Sequence, residues 1–312
     1  MTTTSSQNQA AKLLIIGDIV IDETWHVRAT KLSPEGPIPV VILDSDTPEV
    51  KAGGAGLAAR YATKNKIPVH LMTACSLKNK DLLESNGIPT TSIDDTDNIV
   101  KKRYIDIESG YHLMRVDNDS VVSVPDITTD NIYSLLKDFI LQNNVSMVSM
   151  LDYRKGVFFD RNTCQSIIRL CRSKDIFTYV DTRCLPTKFI GADYIKLNAT
   201  EYDYAKNRMN TKDMSEMRHR LEANSLIVTL GKDGAMMTSQ NCNNTSYVPK
   251  LRKTSHAPDV TGCGDVFGIN FCTELYEAMT KKSSLGNAQN RALRIAVEKA
   301  TSFAYEDTRK RL

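Results

Sequence analysis

The feature that most constrains this chain is a recurrence of short apolar runs separated by helix-like stretches. The runs fall at residues 12–19, 145–151, 177–181, 194–197 and 225–230. Helical patterns occupy 130–142, 160–173, 201–207 and 214–223. An apolar run of this length, ended by Gly, Asp or Asn, reads as a strand buried on both faces of a sheet. Strands that alternate with helices through short loops must pair in parallel, because each return to the sheet needs a crossover. The reading is an α/β chain built on a doubly wound parallel sheet with helices on both faces.

Two stretches break the rhythm. Within residues 20–50, Pro34, Pro37 and Pro39 forbid a helix, Thr24 to Val27 alternate weakly, and 39–43 reads as a strand. Residues 99–117 alternate again, with a turn at Ser109-Gly110. Together they predict a small β-lid. Between them, Gly53-Gly54-Ala55-Gly56 opens a small-residue helix to about residue 65. The last quarter carries a hairpin-like pair at 234–238 and 245–248, then helices at 265–279 and 287–303. Residues 1–11 read as a disordered leader and 12–312 as one domain with the lid inserted.

Composition excludes several classes of function. Forty Lys and Arg against 37 Asp and Glu leave a net charge of +3 over 312 residues, too little for a nucleic-acid binder. No run approaches the ~18 apolar residues of a membrane span, and the polar start lacks a signal-peptide layout. Seven cysteines without a CxxC pair and five scattered histidines argue against a disulfide scaffold or a zinc site. A reducing, cytoplasmic setting is the default.

The sharpest chemical signal is Asp259-Val260-Thr261-Gly262-Cys263-Gly264-Asp265, running into an apolar helix. Glycines on either side of one residue let backbone amides converge, and the helix aims its positive end at the same point. Gly262, Cys263 and Gly264 then form an anion hole, with Asp265 beside it as a proton acceptor. The plainer reading is a glycine turn capped by its aspartate. Cys263 is read either as a thiolate activated by the helix or as a stand-in for a small residue. Upstream, Thr229, Gly231 and Gly234 end one strand, where open sheets bind ligands or where a simple turn would suffice. Asn198 and Glu201 end another, as a pair to place a hydrated Mg²⁺ or as a helix cap.

The order of these motifs resembles that of the ribokinase (PfkB-type) family of sugar kinases, from Leu13 onward. The resemblance implies a ribokinase-like fold, ATP with Mg²⁺ held through water near Glu201, and room for a monovalent cation. It implies Asp265 as base with Gly262, Cys263 and Gly264 at the transferring phosphoryl. Asn198, Glu201, Thr229, Gly231, Gly234 and Asp259 would lie on the nucleotide side. It also implies a homodimer joined through the lid, with no nucleic-acid or membrane partner.

Gly17-Asp18, Asp22 and Trp25, then Ser33-Pro34-Glu35-Gly36-Pro37-Ile38-Pro39-Val40-Val41, resemble the kinases of D-glycero-D-manno-heptose 7-phosphate. Lys101, Arg103, the Leu113 to Asp117 segment and Asp152-Tyr153-Arg154-Lys155-Gly156 extend the match. The implied reaction phosphorylates O1 of the β-anomer of that sugar phosphate. Asp22 would accept from sugar hydroxyls and Gly53-Gly54 would lie against the sugar. Arg103 or Arg115 would hold the distal phosphate, a task suited to guanidinium. Asp152 and Lys155 would complete the pocket. Another carbohydrate kinase of the family, fructokinase- or ribokinase-like, and a catalytically silent sugar binder stay open. Leu57 stands where the family carries a sugar-binding Asn. No counterpart of the nucleotidyltransferase domain fused to many heptose kinases is read, so that step is expected from another protein.

Overall fold

The chain enters its body through β1 (Lys12–Gly17) and leaves it at once. β2 (Ile19–Leu32), β3 (Pro39–Leu43) and β4 (Glu49–Gly54) form an excursion, and α1 (Ala55–Lys64) leads back to β5 (Val69–Thr73). α2 (Leu77–Ser85) and β6 (Thr90–Ser92) precede a second excursion, β7 (Ile99–Asp106) and β8 (His112–Asp117). Then α3 (Thr129–Gln142), β9 (Val145–Asp152), α4 (Arg161–Ser173), β10 (Phe177–Thr182) and β11 (Tyr194–Asn198) alternate. α5 (Ala199–Met209), α6 (Met214–Arg220), β12 (Ser225–Thr229), β13 (Ala235–Ser239) and β14 (Cys242–Val248) follow. α7 (Cys263–Thr280) and α8 (Leu285–Ala304) come last. This computed structural model describes residues 12–118, 129–240, 242–249, 260–281 and 283–305. The expected leader at 1–11 lies outside them.

The main sheet has nine strands in the order β14-β13-β12-β11-β10-β9-β1-β5-β6. It is parallel except for β13 and β14 at one edge. β1 shows why the buried strands are apolar throughout. Leu13 and Ile15 pack into the layer of α1, α7 and α8, while Leu14 and Ile16 pack into the layer of α3 to α6. Successive side chains point to opposite faces, and both faces are covered. Ala55, Gly56, Ala58, Ala59 and Ala62 let α1 approach its strands closely.

The excursions combine into a second sheet of five strands, ordered β3-β2-β7-β8, with β4 also on β2. Its register places Asp22 and Thr24 on one face with Lys101, Arg103, Arg115 and Asp117. The other face carries Trp25, Tyr104, Met114 and Val116, with Trp25 and Tyr104 stacked at 6.4 Å between centroids.

The structure departs from the sequence reading in three places. β2 runs for 14 residues where only weak alternation was legible, since Asp22, Glu23, His26 and Arg28 dilute its apolar pattern. Gly53 belongs to β4, and Gly54 both ends that strand and caps α1. β5, α2 and β6 were not anticipated; α2 buries only Leu83, too little to produce a periodic signal.

Candidate active site

The carboxyl ends of β1, β9, β10, β11 and β12 open on one crevice, and the N-terminus of α7 points into it. Such a crevice is where open parallel sheets bind ligands. Asp18, just past β1, is buried and accepts the amides of Tyr153, Lys155 and Val157 at 2.8, 3.0 and 2.9 Å. That fixes the loop after β9. Burial lifts the Asp18 carboxyl to about 6, against those amides, which favour its charge.

Asp265 lies in the first turn of α7, 7 % exposed. Tyr153 Oη donates to its Oδ1. Burial above all, and then the Asp181 charge, raises its pKa to about 6, opposed by the Tyr153 hydrogen bond and by Lys196 and Arg183. A carboxyl so placed is ionised at neutral pH yet basic enough to take a proton. Gly262 caps α7 at φ 80°, a conformation that favours glycine, and Leu57 methyls fill the space where a side chain would go. The Cys263 amide turns back to Val260 O at 3.2 Å. The first-turn amides facing the crevice are therefore those of Gly264 and Asp265, which have no backbone acceptor among the described residues.

Behind that turn stands a buried cation. A Cβ on Gly264 would lie 3.2 Å from Lys196 Nζ, and Lys196 pairs with Asp181 Oδ2 at 2.8 Å. Their side chains are 2 % and 4 % exposed. Helix dipole and open amides favour negative charge at one point, while the Lys196 ammonium is balanced by the Asp181 carboxylate.

On the lid side, Arg103 Nη2 donates to Asp22 Oδ1 at 2.7 Å, and a Cβ on Gly53 would lie 2.5 Å from Asp22 Oδ2. These three sequence-expected residues meet. Arg60 of α1 joins the corner: burial lowers its pKa despite Asp22 and Glu49, and its Nε is buried without a partner among the described residues. Gly54, at φ 60°, lies against the Tyr153 ring. Lys155 lines a small cleft with Asp18, Thr96, Asp97 and Asn98. Arg115 stands across from Arg103 but pairs with Asp117 at 3.0 Å, its side chain 54 % exposed. Asp152 corrects the expectation of a pocket residue. It is buried, and its oxygens accept from the Arg154 amide, the Thr182 hydroxyl and the Cys184 thiol, so it brackets β9 to β10.

On the opposite side, Asn198 and Glu201 form a capping box, each side chain accepting the other's amide at 2.8 and 2.7 Å. Glu201 Oε1 also accepts Arg183 Nη1 at 2.9 Å. Both its oxygens are engaged, so it suits a Mg²⁺ ion through water rather than by direct ligation. Asn198 pairs in register with Thr229. Gly231 is open on its side-chain side, whereas a Cβ on Gly234 would meet Val248 O at 2.0 Å. Gly234 thus serves the tight approach of β14. Asp259 lies outside the described residues.

No protein-family model matches the chain. It is similar to the bifunctional protein HldE of Hydrogenovibrio crunogenus, 23 % identical over 300 residues, covering 92 % of this chain and 59 % of that protein. HldE of Histophilus somni is 26 % identical over 277 residues, covering 84 % of this chain and 55 % of the relative. The chain thus spans under two thirds of these relatives. Among solved structures, phosphofructokinase-2 from Escherichia coli superposes with a TM-score of 0.71 at 16 % identity, over 97 % of this chain and 94 % of that one. Ribokinase from Giardia lamblia gives 0.68 at 16 %, over 95 % and 93 %. This is the ribokinase fold.

Within the ribokinase-like crevice, sequence reasoning assigned no role to Tyr153, Asp181, Arg183, Lys196 or Arg60. One signal was available: Asp181 and Lys196 place charges inside buried strands, and they face each other in the β10–β11 register. A charge inside a buried strand calls for a partner.

Proposed function

We propose that the chain is an ATP-dependent sugar-phosphate kinase acting on O1 of D-glycero-β-D-manno-heptose 7-phosphate. The observation that carries the kinase reading is Asp265: a buried carboxylate in the first turn of α7, beside open amides and the Lys196 ammonium. The acceptor hydroxyl gives its proton to Asp265 while its oxygen bonds the terminal phosphorus of ATP and the bond to ADP breaks. The Gly264 and Asp265 amides, with Lys196 behind them, stabilise charge on the transferring group. Mg²⁺, held through water near Glu201, supplies neutralisation of the nucleotide phosphates when bound.

The sugar phosphate is supported by the Ser33 to Val41 run and by the cationic corner of Arg103 and Arg60 over Asp22 and Gly53. Leu57 against Gly262 favours a second reading, a kinase for a different sugar, because an apolar side chain faces the reacting end. Steady-state kinetics with the heptose and its 7-phosphate side by side decide between them. The proposal expects the phosphorylated sugar to win by about 10–150-fold in kcat/KM, the worth of a charge-assisted contact. Equal values would move the assignment to an unphosphorylated sugar, and no turnover with either would favour a silent binder.

No helix among the described residues is long and apolar enough to cross a membrane. A homodimer agrees with the exposed Met114 and Val116 on the lid face that also carries Trp25 and Tyr104, with Glu23 and Lys102 beside them. Sedimentation velocity at micromolar concentration reads the dimer directly, and a monodisperse monomer would refute it.

A further inference from the structure

Tyr153 stands between the two halves of the crevice, and the reaction as proposed leaves it without a task. Its hydroxyl donates to Asp265 Oδ1. Its ring lies against Gly54 on one side, where a Cβ would sit 3.6 Å from ring carbons. Arg183 covers the ring, its guanidinium carbon 5.1 Å from the centroid, and is itself tied to Glu201 at 2.9 Å. The Tyr153 amide is held by Asp18 at 2.8 Å. Restraints from the ends of β1, β4 and β10 and from the first turn of α7 therefore converge on one phenol.

We propose that Tyr153 is the positioning residue of the base, orienting the Asp265 carboxylate by engaging Oδ1 and leaving the other oxygen to the acceptor hydroxyl. This rests on the reading of Asp265 as base. The groups facing Asp265 are Tyr153 from the loop after β9, Asp181 and Arg183 from β10 and its end, and Lys196 from β11. Lys196 is committed to Asp181, and Arg183 is shared between Glu201 and Tyr153. Tyr153 is the one side chain among the described residues that donates directly to the base. Burial and the nearby carboxylates of Asp265 and Asp181 hold the phenol protonated, so it remains a donor. Its hydrogen bond favours the charged form of Asp265, against burial and Asp181.

Tyr153→Phe keeps the ring contacts and removes only the donor. The acid limb of kcat/KM, expected near the pKa of about 6 to which burial lifts the Asp265 carboxyl, should then move to higher pH by about one to two units, with KM for ATP unchanged. A loss of activity at every pH with the limb unmoved would mean that Tyr153 only supports the fold, and would overturn the proposal. Placing 3-fluorotyrosine at Tyr153, a more acidic phenol of nearly the same shape, should move the limb the other way; an unmoved limb again overturns it. Carbon-13 NMR titration of the Asp265 carboxyl in the ligand-free protein, with and without Tyr153→Phe, reads the same coupling without turnover. An upward shift supports the proposal and identical titrations refute it. A shifted titration in a protein that transfers no phosphoryl group would refute the kinase reading alone, leaving the Tyr153–Asp265 coupling in place.

Discussion

The main sheet and the lid each use ion pairs of nearly the same length, in opposite settings. Lys196–Asp181 measures 2.8 Å with side chains 2 % and 4 % exposed; Arg103–Asp22 measures 2.7 Å at 23 % and 26 %. Arg115–Asp117, at 3.0 Å on the outermost lid strand, has its arginine more than half in water. Geometry is constant while the surrounding medium changes. Interaction strength follows the medium, because water screens the outer pairs and helices on both sides exclude it from the inner one. On the proposed function, the body holds its charges fixed for chemistry and the lid exchanges its partners for those of a ligand.

Breaking the inner pair should have the largest effect. Lys196→Met leaves the Asp181 carboxylate buried and unpaired, and should destabilise the protein by about 3–5 kcal/mol, read as a fall in the denaturant midpoint. Replacing both partners with apolar residues should recover most of that stability without recovering turnover. Recovery of both would remove Lys196 from the reaction.

The intermediate pair should separate stability from binding. Arg103→Ala should change stability by less than about 1 kcal/mol, since water already screens the contact. It should raise KM for the sugar phosphate about 10–150-fold and leave KM for ATP unchanged. Equal increases in both would mean that the lid acts through the fold rather than through its guanidinium.

Arg115→Ala should do least, with stability within about 0.5 kcal/mol of the parent protein and KM barely changed. A large KM effect at Arg115 with none at Arg103 would reverse the order of the lid pairs.

The same contrast explains what the sequence could disclose. β9, β10, β11 and β12 were legible because strands buried on both faces are predominantly apolar. β2 was not, because a lid strand that meets water carries Asp22, Glu23, His26 and Arg28 among its apolar residues. Asp265 was legible because its glycines adjoin it in the chain. Tyr153, Asp181 and Lys196 reach it only through strand order and register, which place β9, β10 and β11 side by side. The Asn198–Glu201 spacing was visible, but its capping box and its tie to Arg183 appear only in three dimensions.

Asp265 is the group proposed to take the acceptor's proton, and Asp265→Asn tests that role most directly. The fold and ATP affinity should persist while kcat falls about 10²–10⁴-fold, the usual cost of a lost general base. Turnover near that of the unsubstituted protein would contradict the account.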